Sequence, residues 1–415
     1  MAAPPARHVS ALLLAALCIP ALAAELPSGV NTTLKTGSVL WRTPDDPLLY
    51  PDRNGRTDSA RLRLGLTLRH GERLTAETAY EHRARHVTGE DGTGGAAALP
   101  LETEAPFRLN QLDWELAEDE PEFAYRHEID RLVAAIHPDW GEITIGRQAI
   151  GLGRGVLFGA VDLFSPFSPA EFDREWRRGV DAFRVDWRAT DKVSAEVLCA
   201  FGETWDDSAC LARLRGYAGR IDGELYAGTR ARDTLLAGTL SAAVSEAETH
   251  AELAVFHTPE EQPDGGPAGR DDLVGKAVAG ASYKFDVGDG LTVLGEYHYS
   301  GFGVRDIEDA TSRLADPVFR ERYLRGDTQI LGRHAAALQL HYPLTTTWSG
   351  TLLVLESPRD GSGLLSPSVA WDLADSATLA ANVSVPWGEV PSEGQLRSEY
   401  GGTPASLFVQ LSLYY

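Results

Sequence analysis

The stretch RLRLGLTLRH, residues 61–70, puts Leu62, Leu64, Leu66 and Leu68 on one parity and Arg61, Arg63, Thr67 and Arg69 on the other. A period of two is the mark of a strand whose two faces meet different solvents. The pattern recurs in VSAEVLCAF (193–201), LTVLGEYHYS (291–300), HAAALQLHY (334–342) and ATLAANVSVPW (377–387). It closes the chain in SLFVQLSLYY, where Leu407, Val409, Leu411, Leu413 and Tyr415 share a parity. A final apolar strand in water is an open edge and an aggregation hazard. A sheet closed on itself in lipid removes the edge and gives the apolar face a matching solvent. Segments of about ten residues are what a tilted strand needs to cross a bilayer.

The connections follow a second rhythm. Short turns are expected at Gly71-Glu72, Asp139–Gly141, Thr190–Lys192, Asp222-Gly223, Gly288–Gly290, Leu344–Thr347 and Ala374–Ser376. Between them come long polar stretches at 42–58, 88–124, 151–179, 203–210, 258–274, 302–333 and 388–404. Alternation of short periplasmic turns with long external loops is the habit of outer-membrane barrels. The fold class expected is therefore all-β, a transmembrane antiparallel β-barrel of about 18 strands, with 16 as the alternative and both termini periplasmic. Residues 24–41 and 224–257 carry the weakest alternation. A soluble sandwich or solenoid also alternates, but neither predicts this loop rhythm or aromatic residues at strand ends.

At the other end, Arg7 precedes an apolar run and Ala21 and Ala23 form an A-x-A site, so residues 1–23 read as a secretory signal and 24–415 as the barrel. No later segment holds about 18 consecutive apolar residues, so no transmembrane helix is expected. The net charge of −22 argues against nucleic acid as a partner. Much of that charge lies in loops such as 88–124, where divalent cations beside lipopolysaccharide are an alternative role for it. Two cysteines remain after the signal, Cys199 and Cys210, as one disulfide or as two free thiols.

The most distinctive segment is ITIGRQAIGLGRGVLFGAVDLFSPFSPAEFDREWRRGVDAFRVDW, residues 143–187. It leaves one strand and returns in another. The loop between is rich in Gly, Pro and Phe, and a loop this long inside a compact fold is usually functional. Its apolar residues Leu157, Phe158, Leu163, Phe164, Phe167 and Phe172 predict that it folds inward and narrows the lumen. The GRQ at 146–148, the glycine-rich loop with its aspartate and the return strand GVDAFRVDW at 179–187 resemble the alginate-export-like porin barrels of Gram-negative bacteria. The resemblance implies pore arginines that bind solute carboxylates. Arg147 and Gln148 come from the motif, and Arg154, Asp162, Asp173, Arg174, Glu175, Arg177 and Arg184 from position in the loop and return strand. Arg147 shares the parity of Ile143 and Ile145, which puts it at the rim, after a bulge or in a shifted register.

The polar parity also supplies a lumen inventory. Arg61, Arg63, Arg69, Arg184, Arg188, Arg213, Arg215 and Lys284 stand against Glu77, Glu81, Asp186, Glu196, Glu252 and Glu296. His82 and His86 read as lumen or rim residues, about 13 Å apart at ordinary strand rise and too far to share a metal. No G-x-S-x-G, H-E-x-x-H, C-x-x-C, G-x-G-x-x-G or P-loop pattern is present, and no cofactor is expected. The sequence thus predicts a channel for hydrophilic, anionic solutes or an acidic polysaccharide. The rival expectations are a structural sheath around a periplasmic electron carrier and an outer-membrane lipid hydrolase. Expected partners are outer-membrane lipid and lipopolysaccharide, the solute, and the barrel assembly machinery. The aromatic C-terminal strand resembles the signal which that machinery reads.

Overall fold

The computed structural model describes residues 29–89, 105–115, 122–260, 266–267 and 270–415, so the expected signal at 1–23 lies outside the described residues. The strands are β1 (Val30–Arg42), β2 (Asn54–His70), β3 (Leu74–Thr88), β4 (Asp113–Glu115), β5 (Phe123–Ile136), β6 (Gly141–Ala149), β7 (Gly179–Arg188), β8 (Val193–Ala200), β9 (Ala209–Ala218), β10 (Ile221–Arg230), β11 (Asp233–Val244), β12 (Ala247–His257), β13 (Leu273–Phe285), β14 (Leu291–Ser300), β15 (His334–Pro343), β16 (Trp348–Glu356), β17 (Gly363–Ala374), β18 (Ala377–Trp387) and β19 (Ala405–Tyr414). All but β4 form one antiparallel barrel of 18 strands. It closes where β1 pairs with β19, from Thr33↔Tyr414 to Arg42↔Ala405. The three-residue β4 pairs with β5 beyond the point where β6 stops.

The wall is inverted relative to a protein in water. In β10 Glu224 is 3 % exposed and its neighbour Leu225 61 %. In β12 Glu252 is 3 % exposed and Leu253 59 %. Leucine and valine cover the outside, and charge faces the lumen. Aromatic residues gather at the strand ends: Trp140, Trp187 and Tyr217 at one end, Trp114 and Trp387 at the other. This is the girdle that a bilayer interface favours.

All long connections leave from one end of the barrel, and the start of β1 and the end of β19 lie at the other. Two positions differ from expectation. The turn expected at Asp222-Gly223 falls at residues 219–220, where Gly219 takes φ +65°, and Asp222 and Gly223 pair inside β10. A glycine can supply that left-handed turn at no steric cost, and Gly219 does so before the Asp-Gly pair is reached. The ambiguous stretch 224–257 resolves into most of β10, then β11 and β12, joined by two-residue turns at both ends. Cys199 and Cys210 stand opposite each other in β8 and β9 with Cα atoms 4.1 Å apart and form a disulfide beneath the 201–208 loop.

Leu253→Arg should lower the barrel's unfolding free energy in lipid vesicles by about 2–4 kcal/mol, read from urea titration. An unchanged midpoint would mean that this face meets water.

Candidate functional site

Segment 150–178, between β6 and β7, contains no strand or helix and crosses the inside of the barrel. Its backbone amides therefore need partners outside any ladder. Two wall glutamates supply them. Glu252 of β12 accepts hydrogen bonds from the N–H groups of Arg154, Gly155 (2.7 Å), Ala160 (2.7 Å) and Val161 (3.0 Å). Glu296 of β14 accepts from Val156 (2.6 Å), Leu157 (2.9 Å) and Phe158 (2.9 Å). Gly153, at φ +90°, lets the chain turn against Glu252, whose carboxylate a Cβ would strike. At the far side Lys35 of β1 pairs with Asp173 (2.7 Å) and Glu175 (2.6 Å), and the hydroxyl of Tyr414 in β19 donates to Glu175 (2.9 Å). The segment is thus clamped to opposite walls.

Its apolar residues fill part of the lumen. Leu157, Phe158, Val161, Leu163 and Phe164 are buried with Tyr226, Phe256, Val278 and Leu294 from the inner faces of β10 to β14. An eccentric chamber of about 420 Å³ stays open against β1–β3 and β19. Its wall carries Lys35, Arg61, Arg83, Arg85 and Gln410, and the loop adds Glu171, Asp173, Trp176 and Arg178. Its roof is Tyr323–Gly326, Thr328 and Gln329 of the 301–333 connection. That connection includes α1 (Ala310–Leu314) and α2 (Pro317–Leu324). Arg322 of α2 holds it down by pairing with Asp233 (2.7 Å), Asp327 (3.2 Å) and Glu260 (2.5 Å), while Asp327 also takes Arg230 and Arg325.

Positive charge dominates the chamber wall. Arg61, Arg63 and Arg83 share Glu81; Arg83 and Arg108 share Glu128; Arg63 and Arg131 share Asp130. A bulge opposite Ala79 and Tyr80 shifts the β3–β5 register, and the adjacent Asp130 and Arg131 are both buried. The ring of Trp176 lies under three cations, 4.3 Å from Lys35 Nζ, 4.8 Å from Arg61 and 5.1 Å from Arg63. Burial pushes the Arg178 guanidinium down to about 10, against the pull of Glu128 and with the repulsion of Arg83, Arg108 and Arg126. Burial also pushes the Glu171 carboxyl up to about 7, outweighing the Ser168 N–H and Arg174.

Of the residues singled out from sequence, Asp173 lines the chamber. Glu175 binds Lys35 beside it. The other loop cations stabilise the loop itself. Arg174 donates to the carbonyls of Glu171, Val156, Ser168 and Pro169, and Arg177 pairs with Asp162 (2.5 Å). Arg154 turns to Asp222 and Glu224 of β10. Gln148 donates to the Ala182 carbonyl (3.2 Å), and Arg184 pairs with Glu196 (2.5 Å). Arg147 sits at the rim. It binds Asp181 (2.8 Å) and the carbonyls of Asn110, Gln111 (2.6 Å) and Ile129 (2.9 Å), on the parity of Ile145, which is 59 % exposed. It fastens the 105–112 crossing to the ends of β6 and β7, where Leu109 N–H also donates to Asp181 (3.0 Å). His82 and His86 share the parity of Tyr80, opposite that of the buried Glu81, so they are not lumen groups; His82 stacks on His127, which stacks on Trp114.

Sequence reasoning missed Lys35, Arg83, Arg85, Glu171, Trp176 and Arg178 as chamber residues. The signal for two of them was present in β3, where Glu81, Arg83 and Arg85 share one parity.

No family model matches the chain, alginate-export-like barrels included, and no curated protein matches it. Solved structures do. OccAB4 of Acinetobacter baumannii is similar with a TM-score of 0.55 at 9% identity, over 93% of this chain and 97% of that one. A BenF-like porin from Pseudomonas fluorescens Pf-5 gives 0.54 at 11% identity, over 93% and 98%. The fold is a porin fold. Identity this low carries architecture and leaves the solute to the chamber's own chemistry.

Replacing both anchors, Glu252→Ala with Glu296→Ala, removes seven charge-assisted acceptor contacts, each worth on the order of 1.5–3 kcal/mol. Single-channel recordings should show larger and noisier conductance steps than the parent. Unchanged steps would show that the loop does not set the pore width.

Proposed function

We propose that the protein is a passive channel in the outer membrane of a Gram-negative bacterium, passing small hydrophilic anions. The observation that carries this is the eccentric chamber, where Lys35, Arg61, Arg83, Arg85, Arg178 and Arg325 face Glu171 and Asp173. A partly desolvated cation excess concentrates anions and replaces part of their hydration. Export through a signal at 1–23 and assembly through the C-terminal strand belong to the same reading.

Size favours small solutes over a polysaccharide. A roofed chamber of about 420 Å³ lies in the range of small-molecule sites. The lumen already holds segment 150–178 and its apolar packing, which speaks against a sheath around a partner protein. Transport of this kind needs no chemical step.

In planar bilayers the refolded protein should conduct with a reversal potential on the anion side. Arg61→Ala with Arg83→Ala should move it toward the cation side. Cation selectivity in the parent would overturn the reading. Glu171 adds a pH dependence. A carboxyl titrating near 7 is ionised above that pH and neutral below it. Lowering the pH from 8 to 6 therefore removes negative charge from the chamber and should raise anion preference. Glu171→Gln should hold the low-pH selectivity at both values, and a retained pH slope in that variant would assign the effect elsewhere.

A further inference from the structure

The chamber's cations differ in what already neutralises them. Arg61 bonds Glu81 in two contacts, 3.0 and 2.7 Å. Arg83 bonds Glu81 (2.7 Å) and Glu128 (2.8 Å). Lys35 is held by Asp173 and Glu175, and Arg325 by Asp327 (2.7 Å) and Glu321 (3.2 Å). Arg178 lies in the field of Glu128. Arg85 stands two residues beyond Arg83 on the same face of β3. Among the described residues it has no ion pair and no side-chain hydrogen bond, and its Nε is buried without a partner.

The buried Nε of a half-buried guanidinium carries a desolvation cost that no protein acceptor offsets here. Its planar fork suits an oxyanion taken in two parallel hydrogen bonds. The same chamber carries apolar surface from Pro106, Phe164 and Phe167, which bring no acceptor of their own beyond their backbone carbonyls. We propose that Arg85 is the solute-binding cation of the chamber, the point at which one oxyanion group of a passing small solute is held. The paired arginines set the potential, and Arg85 makes the contact. This inference rests on the anion-channel reading and names the specificity residue within it.

The test is single-channel conductance in potassium acetate and in potassium chloride over a wide concentration range, for the parent, Arg85→Gln, Arg85→Lys and Arg61→Gln. A binding site makes conductance saturate. The parent should saturate in acetate, and Arg85→Gln should raise the half-saturating acetate concentration about ten-fold. Arg85→Lys keeps the charge and loses the fork, and should fall between. Arg61→Gln should shift the reversal potential and raise the half-saturating concentration less than Arg85→Gln does. An anion-selective parent whose acetate saturation is unchanged in Arg85→Gln overturns the role of Arg85 and leaves the channel reading standing. A parent without anion selectivity overturns the channel reading, and the inference with it. Should Arg85→Gln fail to fold, judged by circular dichroism, an Arg85→Lys variant with parental saturation in acetate overturns the bidentate contact.

Discussion

Everything in this protein depends on the pairing of β1 with β19. In hydrocarbon no water can satisfy a backbone N–H or C=O, so a sheet survives there only if it has no edge. The ten-residue register from Thr33↔Tyr414 to Arg42↔Ala405 removes both edges at once. Closure also creates an inside. The same alternation that gives lipid its leucines therefore gives the lumen its charges, and Glu224 beside Leu225 is one instance among many.

A lumen lined with charge is costly unless the charges are paired or useful. Here they do three kinds of work. Some bind each other across strands, as Arg213 does with Glu196 and Glu224. Some bind backbone, as Glu252 and Glu296 do, and so convert an irregular segment into a fixed partition. The rest face the chamber. The partition decides which are which, because its apolar side closes off the β10–β14 wall and leaves the arginines of β2 and β3 beside open space. The chamber is off-axis for that reason.

The roof follows the same logic at the mouth. The 301–333 connection is long enough to fold back over the chamber, and the node of Arg322, Asp233, Asp327 and Arg230 fixes it. Glu399 of the 388–404 loop accepts the amides of Leu331 (2.8 Å) and Gly332 (2.6 Å), again a carboxylate tying down irregular backbone. In both inward-folded segments a carboxylate from elsewhere in the chain replaces the ladder the backbone lacks.

Period-two alternation and loop rhythm were enough, by themselves, to point to a closed barrel of about 18 strands, with 16 as the alternative, and to an inward segment after β6; the strand pairing fixes the count at 18. Both are local signals, set by one solvent on each face and by turn chemistry. They also located Glu81, Glu252 and Glu296 on the lumen face. The candidate site was far less legible. Arg154, Arg174 and Arg177 look in sequence like a cationic pore lining, yet each spends its donors on a partner within or beneath the loop. Which arginine keeps a free face depends on neighbours supplied by distant strands. Lys35 reaches Asp173 across 138 residues of chain, and Arg85 stays unpaired because no described acceptor comes within reach. Alternation says which way a side chain points. Only the tertiary structure decides what it meets there, because pairing in the lumen is set by barrel closure and by the path of the inward loop.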